Sequence, residues 1–298
     1  MAYHNPVLLK DSVDVLVGDV NGVYVDCTFG GGGHSREIMS RLGESGRLIS
    51  FDQDQDAKAN ALDDERFTLV MQNFRFLKNN LRYLGYKKIN GVLADLGVSS
   101  HQFDTPERGF SIRFDGNLDM RMNQSAELTA ATIINEYDEN RLADVFYYYG
   151  ELKNARKLAR EVVAARRQAP IETVEQLKKI FSYIPKNKET KFLAQLFQSL
   201  RIEVNDEMAA LRELLVQAGE VLETGGKLVV ISYHSLEDRL VKRYMKTGLF
   251  EGEPERDVYG NWEAPFKPIQ SKVIVPTEQE IAENPRARSA KMRVAVKT

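Results

Sequence analysis

Asp26-Cys27-Thr28-Phe29-Gly30-Gly31-Gly32-Gly33-His34 is the stretch whose reading decides the fold. Before it, Gly22-Val23-Tyr24-Val25-Asp26 reads as a buried strand ending at a carboxylate, and after it residues 34–42 read as a helix. Glycines between a strand and a helix let the backbone turn tightly and approach a ligand closely. Four in a row carry an entropic cost that a mere connector seldom justifies. Working outward, Arg47-Leu48-Ile49-Ser50-Phe51-Asp52 is a second strand, again ending in Asp. A helix at 57–61, a strand at 67–71, a helix at 76–84 and a strand at 91–95, the last ending at Asp95, continue the alternation. Strands alternating with helices predict an α/β fold with a parallel sheet and right-handed crossovers.

From about residue 103 the rhythm changes. An irregular stretch at 105–122, rich in Arg, Asp and Gly, leads into helical periods at 138–149, 152–167, 174–184 and 191–202, with Pro170 and Pro185 as breaks. The α/β pattern resumes with a helix at 207–222, the turn Thr224-Gly225-Gly226, a strand at 227–232 and a helix at 235–246. Residues 272–275 and 291–296 read as final strands. The expected organisation is one domain made of residues 1–104 and 207–298, interrupted by an inserted helical domain at 105–206.

The glycine loop with an acidic residue about twenty positions on, here Asp52, marks a nucleoside-containing cofactor, because that carboxylate can bind both ribose hydroxyls. A dinucleotide fingerprint wants a small third residue where this chain has Ser35, and it presents pyrophosphate to the helix N-terminus. S-adenosyl-L-methionine (SAM) carries a cationic sulfonium instead, which suits Asp26 just before the loop, so the spacing favours SAM over a dinucleotide. Phe74, after the third strand, is either an adenine-stacking face or a core aromatic.

Asp95-Leu96-Gly97-Val98-Ser99-Ser100-His101-Gln102 follows the fourth strand, beyond the carboxyl ends of the strands, where ligands of open α/β sheets bind. Asp95 is therefore the candidate reaction-site carboxylate, either orienting a target amine or binding the methionine part of SAM. Amino-methylating enzymes often follow this residue with Pro-Pro-aromatic, and those prolines are absent here. Ser99 and Ser100 also fit as turn and helix-cap residues. The four histidines (His4, His34, His101 and His234) form no helical pair, and Cys27 stands alone, so no metal site is expected. A Ser235/His234/Glu237 triad lacks the strand-turn-helix elbow that would support it.

With a hydrophobic share of 43%, the chain can build a full core without disulfides. One cysteine, no basic-then-apolar N-terminus and no apolar run of membrane length predict a cytoplasmic protein away from the bilayer. The net charge of −2 conceals local basic patches. One runs from Lys153 to Lys191, where cations outnumber acids, and another is the acid-free tail carrying Arg286, Arg288, Lys291, Arg293 and Lys297.

Taken together, the glycine loop 26–35, the Asp95–Gln102 loop, Arg108-Gly-Phe-Ser111, Asp115-Gly-Asn-Leu-Asp-Met-Arg-Met122, Tyr149-Gly-Glu151, Leu200-Arg-Ile-Glu-Val-Asn205, Ile231-Ser-Tyr-His-Ser-Leu-Glu-Asp-Arg239, Asn284-Pro-Arg-Ala-Arg-Ser-Ala290 and the opening His4-Asn-Pro-Val7 resemble the bacterial small-subunit rRNA cytosine-N4 methyltransferase H family, in its order and across the chain. The resemblance implies a class I SAM-dependent methyltransferase fold: α/β, Rossmann-like, with a mostly parallel seven-stranded sheet and an inserted all-helical domain that recognises substrate. It implies N4-methylation of a specific cytidine in the decoding centre of 16S rRNA, with the small ribosomal subunit as partner and a monomer or homodimer as the working form. By motif, Gly32, Gly33, His34, Asp52, Phe74, Asp95 and Gln102 would contact SAM, with Asp95 as the catalytic group. Arg108, Phe110, Arg113, Arg121 and His234 are candidate substrate contacts, with Phe103 or Phe110 as the platform for a splayed-out base. This chain departs at Asn117 (family Pro), Tyr233 (family Phe) and Cys27 (family Gly or Ala), changes expected to affect local packing alone. Other acceptors on the same fold and a non-catalytic SAM-binding assembly factor are the competing readings.

Overall fold

In the computed structural model, which describes residues 6–270 and 272–298, the chain divides into two compact units, Met1–Gly97 with Met208–Thr298, and Val98–Glu207. The second unit begins at Val98 rather than at 105, because Val98 and Phe103 pack against that unit's own core.

Among the described residues the first unit carries seven strands: β1 (Val23–Asp26), β2 (Arg47–Phe51), β3 (Phe67–Val70), β4 (Ile89–Asp95), β5 (Leu222–Ser232), β6 (Phe266–Pro268) and β7 (Lys291–Lys297). They form one sheet of order β3-β2-β1-β4-β5-β7-β6, parallel from β3 to β5, with β7 running antiparallel between β5 and β6. Helices α1 (Leu9–Leu16), α2 (Gly33–Arg41) and α3 (Leu77–Tyr83) belong to the first unit. Helices α4 (Ser100–Asp104), α5 (Ala130–Glu136), α6 (Glu139–Tyr148), α7 (Ala155–Arg166), α8 (Val174–Ile180) and α9 (Lys186–Asn205) build the second, and α10 (Glu207–Val221), α11 (Ser235–Thr247) and α12 (Glu278–Glu283) return to the first.

The central strands read as unbroken apolar runs because both sheet faces are covered. Successive side chains alternate between the faces. Tyr24, Leu48, Leu93, Val229 and Ile231 join the core under α1 and α2, while Val25, Ile49, Val92, Leu228 and Val230 join the core under α3, α10 and α11. In the second unit Ile133, Phe146, Leu158, Leu177, Leu196 and Leu200 make an all-helical core. Its irregular opening is anchored by a bridge between Asn117 and Thr173 and by Asn205, whose amide donates to the Met120 carbonyl and accepts from the Met122 N–H.

Several expected elements differ. The expected helix at 57–61 is a 3₁₀ turn (Gln55–Asn60) that ends before Ala61, too short of apolar periodicity for an α-helix. Helix α9 begins at Lys186, earlier than its apolar pattern suggests, since Pro185 provides the N-cap and the solvated first turn is polar. Helix α8 stops at Ile180, short of 184, ahead of that same proline. The 224–226 turn is absorbed as a bulge of β5, with Gly225 at φ +88°. The expected strand at 272–275 reduces to a single bridge, Ile274 to Met292, cut off by Pro276, and Phe266–Pro268 supplies the last strand. His4 and Asn5 of the opening motif lie outside the described residues.

Candidate active site

Strand order reverses between β1, whose neighbours are β2 and β4, and β4, whose neighbours are β1 and β5. That switch point opens a crevice beyond the carboxyl ends of β1 and β4, where three carboxylate-bearing strand ends, Asp26, Asp52 and Asp95, converge.

Asp26, expected to meet a cation, is fully buried and its carboxylate is engaged by the protein itself. Its Oδ1 accepts the Thr28 N–H at 3.1 Å and its Oδ2 accepts the Ser35 hydroxyl at 2.6 Å. Ser35 also lies 2.8 Å from Ser50 Oγ, which must then donate to it. The residue that spoils a dinucleotide fingerprint thus pins the first turn of α2 to β1 and β2. Thr28 Oγ1 in turn accepts the Asp95 N–H at 2.8 Å, joining the glycine loop to the end of β4.

Gly30 and Gly32 adopt φ of +50° and +76°, conformations that penalise any side chain. Gly32 is the N-cap of α2 with no side-chain cap, so the first N–H groups of that helix are left for an anion. A Cβ on Gly33 would sit 2.1 Å from Pro6 Cγ, so the close packing of the N-terminal segment requires glycine there. Asp52 accepts the Gly30 N–H at 2.7 Å and the Asp54 N–H at 2.8 Å, and burial pushes its carboxyl up to about 6. Phe74 sits in a short 3₁₀ turn beyond β3, half-buried against the core.

Asp95 keeps a fifth of its side chain exposed. Its Oδ1 accepts the Tyr233 hydroxyl at 2.7 Å, and its Oδ2 lies 3.8 Å from Nδ1 of His34, whose Nε2 donates to the Val7 carbonyl at 3.1 Å. Burial raises the Asp95 carboxyl to about 6, opposed by His34 and by the Tyr233 hydroxyl and assisted by the charges of Asp26 and Glu237. The Tyr233 contact overturns the expectation that this departure affects packing alone. Its hydroxyl reaches the reaction-site carboxylate, and a periodicity reading carries no signal for it. The hydrogen-bonding roles of Ser35 and Thr28 likewise leave no signal in periodicity.

The histidine of the same segment, His234, is a helix-cap residue instead of a presented substrate contact. Its Nδ1 accepts the Glu237 N–H at 3.4 Å, its Nε2 lies 3.1 Å from Glu237 Oε1, and its ring is largely buried. Burial pushes the Cys27 thiol well up, aided by the charge of Asp26, so it packs as an apolar residue and offers no nucleophile.

In the second unit, Gln102 is buried at the third position of α4, its side-chain oxygen accepting the Ser99 N–H at 3.1 Å in a capping box. Three of the candidate substrate residues are structural. Arg108 is buried and donates to the Arg121 and Met122 carbonyls, Phe110 is buried in the helical core, and Arg121 forms a two-pronged pair with Asp119. Phe103 is half-buried against the same core, so neither proposed aromatic stands out as a base platform. Arg113 is exposed beside Phe114, itself 44% exposed. Part of the basic tail is likewise committed, with Arg293 in β7 bonded to Asp238 at 2.6 Å.

The donor set fits SAM. A carboxylate with accepting lone pairs at the second strand end suits a ribose diol, uncapped helix N–H groups suit an α-carboxylate, and a partly exposed anion at the fourth strand end suits a cation or an amine. A sheet of this order with this site is that of a class I SAM-dependent methyltransferase. The chain belongs to the MraW methylase family, whose model matches residues 1–298. It is 60% identical over 298 residues to a Flavobacterium johnsoniae protein named Ribosomal RNA small subunit methyltransferase H, covering 100% of this chain and 98% of that one. Proteins of the same name from Christiangramia forsetii and Bacteroides fragilis are 58% and 59% identical, the first covering 100% of this chain and 98% of its own, the second 99% and 97%.

Proposed function

We propose that this enzyme transfers a methyl group from SAM to the N4 amine of a specific cytidine in the decoding centre of 16S rRNA, with the small ribosomal subunit or its RNA as substrate in the cytoplasm. The observation that carries the reading is the Asp95 carboxylate, partly exposed at the switch point and held by the Tyr233 hydroxyl, with the Asp95 backbone N–H donating to Thr28 Oγ1. The names of the relatives support RNA as the acceptor.

When bound, SAM supplies an electrophilic methyl group on a cationic sulfur. Asp52 would hold the ribose hydroxyls, and the N–H groups of Gly33 and His34, freed by the glycine cap at Gly32, would hold the carboxylate. Phe74 would lie along the adenine. Cytosine's amino nitrogen is a weak nucleophile because its lone pair is delocalised into the ring. Asp95 accepts a hydrogen bond from that amine, turns its lone pair out of conjugation and takes the proton the nitrogen must lose. A carboxyl that titrates near 6 is ionised at neutral pH yet more basic than an ordinary aspartate, which suits this task. Positioning of the reacting atoms contributes most of the remaining rate.

The second unit offers the RNA surface. Lys153, just before α7, and Arg156, Lys157 and Arg160 along its start are exposed, and Lys157 lies 5.2 Å from the ring of Tyr183, which is 53% exposed. The nearby acidic partners Glu161 and Glu139 stand at 3.7 and 3.6 Å, surface pairs that phosphate readily replaces. RNA affinity should fall at least about ten-fold between roughly 50 and 200 mM salt, with a shallower slope when Arg156 and Arg160 are both replaced by Ala. Filter binding across a salt series measures it, and a flat response would remove this face from recognition.

The decisive assay uses tritiated SAM and small subunits from a strain lacking this gene, followed by nucleoside analysis. Label in N4-methylated cytidine is the expected result. Intact SAM binding with unlabelled RNA would sink the assignment and direct attention to protein or small-molecule acceptors.

A further inference from the structure

Tyr233 directly follows β5. Its ring is placed beside Gly97 in the loop after β4. Gly97 adopts φ +101°, a conformation that favours glycine, and a Cβ built there would be in ordinary contact with the ring at 3.4 Å, so the ring packs directly against this turn. The Glu237 carboxylate accepts the Tyr233 backbone N–H at 2.8 Å and so fixes the main chain that carries the ring. Clamped in this way, the ring aims its hydroxyl at one oxygen of Asp95, at 2.7 Å, and leaves the second oxygen toward His34.

We propose that Tyr233 is a positioning residue, which holds the Asp95 carboxylate in a fixed accepting orientation through a hydroxyl that Phe lacks. The inference rests on the reading of Asp95 as the acceptor for the target amine. The charged and titratable groups around the pair are His34 from α2, Asp26 at the end of β1, Glu237 from α11 and Glu280 from α12. Of these, His34 alone shares with the hydroxyl the effect of favouring the carboxylate, while Asp26 and Glu237 oppose it. Donation to the ionised form favours that form, so removing the hydroxyl must raise the carboxyl further.

Tyr233→Phe tests this in the full chain, because it deletes the hydroxyl and keeps the ring volume. In protein labelled with ¹³C at the aspartate carboxyls, the Asp95 resonance is assigned with Asp95→Asn and titrated in both proteins. The midpoint should rise by about one unit in Tyr233→Phe. Methyl transfer at about pH 6 should fall roughly five-fold, a loss that shrinks toward higher pH, with SAM affinity unaltered. A role confined to packing would lower activity equally at every pH. Identical carboxyl midpoints in the two folded proteins would overturn the proposal. If wild-type protein labels no RNA, the rRNA reading fails, and the carboxyl titration still decides the role of Tyr233.

Discussion

Asp95→Asn is expected to lower methyl transfer by about a thousand-fold, in the range seen when a preorganised group acting on the transition state is removed. It should also make the protein more stable at neutral pH. The stability effect follows from the carboxyl's displacement by burial from 3.8 to about 6. A raised carboxyl means that the folded state holds its proton more tightly than the unfolded state. Stability from this group therefore falls as pH climbs from about 4 to about 6, and above 6 the native state bears the full cost of the buried charge. A displacement of this size corresponds to about 3 kcal/mol. Asn carries no charge, and its oxygen can still accept the Tyr233 hydroxyl, so most of that cost disappears. Denaturant unfolding at about pH 8 should show the variant more stable by about 1–3 kcal/mol, with no gain at about pH 4. Full activity in the variant would remove Asp95 from the mechanism. A wild-type advantage at pH 8 would show that its charge is already compensated.

The opposite balance is expected at Asp26. This carboxylate is fully buried with its oxygens accepting from Thr28 and Ser35. Asp26→Ala strands the Thr28 N–H and leaves the Ser35 and Ser50 hydroxyls with each other alone. Each orphaned buried donor costs about 1–3 kcal/mol, and the variant should lose roughly 2–4 kcal/mol of stability. The functional effect is transmitted through the loop. Without Asp26, Thr28 loses the anchor that aims its hydroxyl at the Asp95 N–H, and α2 loses its tie to β1. SAM affinity should drop at least about ten-fold, while Asp26→Asn, which keeps one acceptor, should fall between. Urea unfolding and calorimetric SAM titration measure both quantities. Unchanged stability in Asp26→Ala would mean that water replaces the carboxylate at no cost.

These two aspartates look alike along the chain. Each ends a buried strand and precedes a polar loop, and each reads as a ligand-facing acid. Their roles part because Ser35 returns, one turn into α2, to the carboxylate of Asp26, whereas nothing returns to cover Asp95 fully. Arg108 and Arg121 repeat the lesson in the helical unit. A cluster of arginines after a reaction loop reads as an RNA entrance, but the irregular backbone at 105–122 has carbonyls to satisfy, and the guanidinium groups are spent on them and on Asp119. Tyr233 shows the converse, a residue that reads as an ordinary aromatic but whose hydroxyl lands on Asp95.

What the amino-acid sequence determined by itself is the plan: alternating strands and helices around a glycine loop, acids at three strand ends, an inserted helical block, and a cofactor class that follows from those spacings. Such features are local, set by period, turn chemistry and the distance between motifs, and they survive in one dimension. Which acid faces the crevice, which arginine is consumed by the backbone and which hydroxyl reaches Asp95 were decided by the tertiary structure alone. Burial and hydrogen-bond partnership join residues as far apart as Asp95 and Tyr233, and separation along the chain carries no record of that contact.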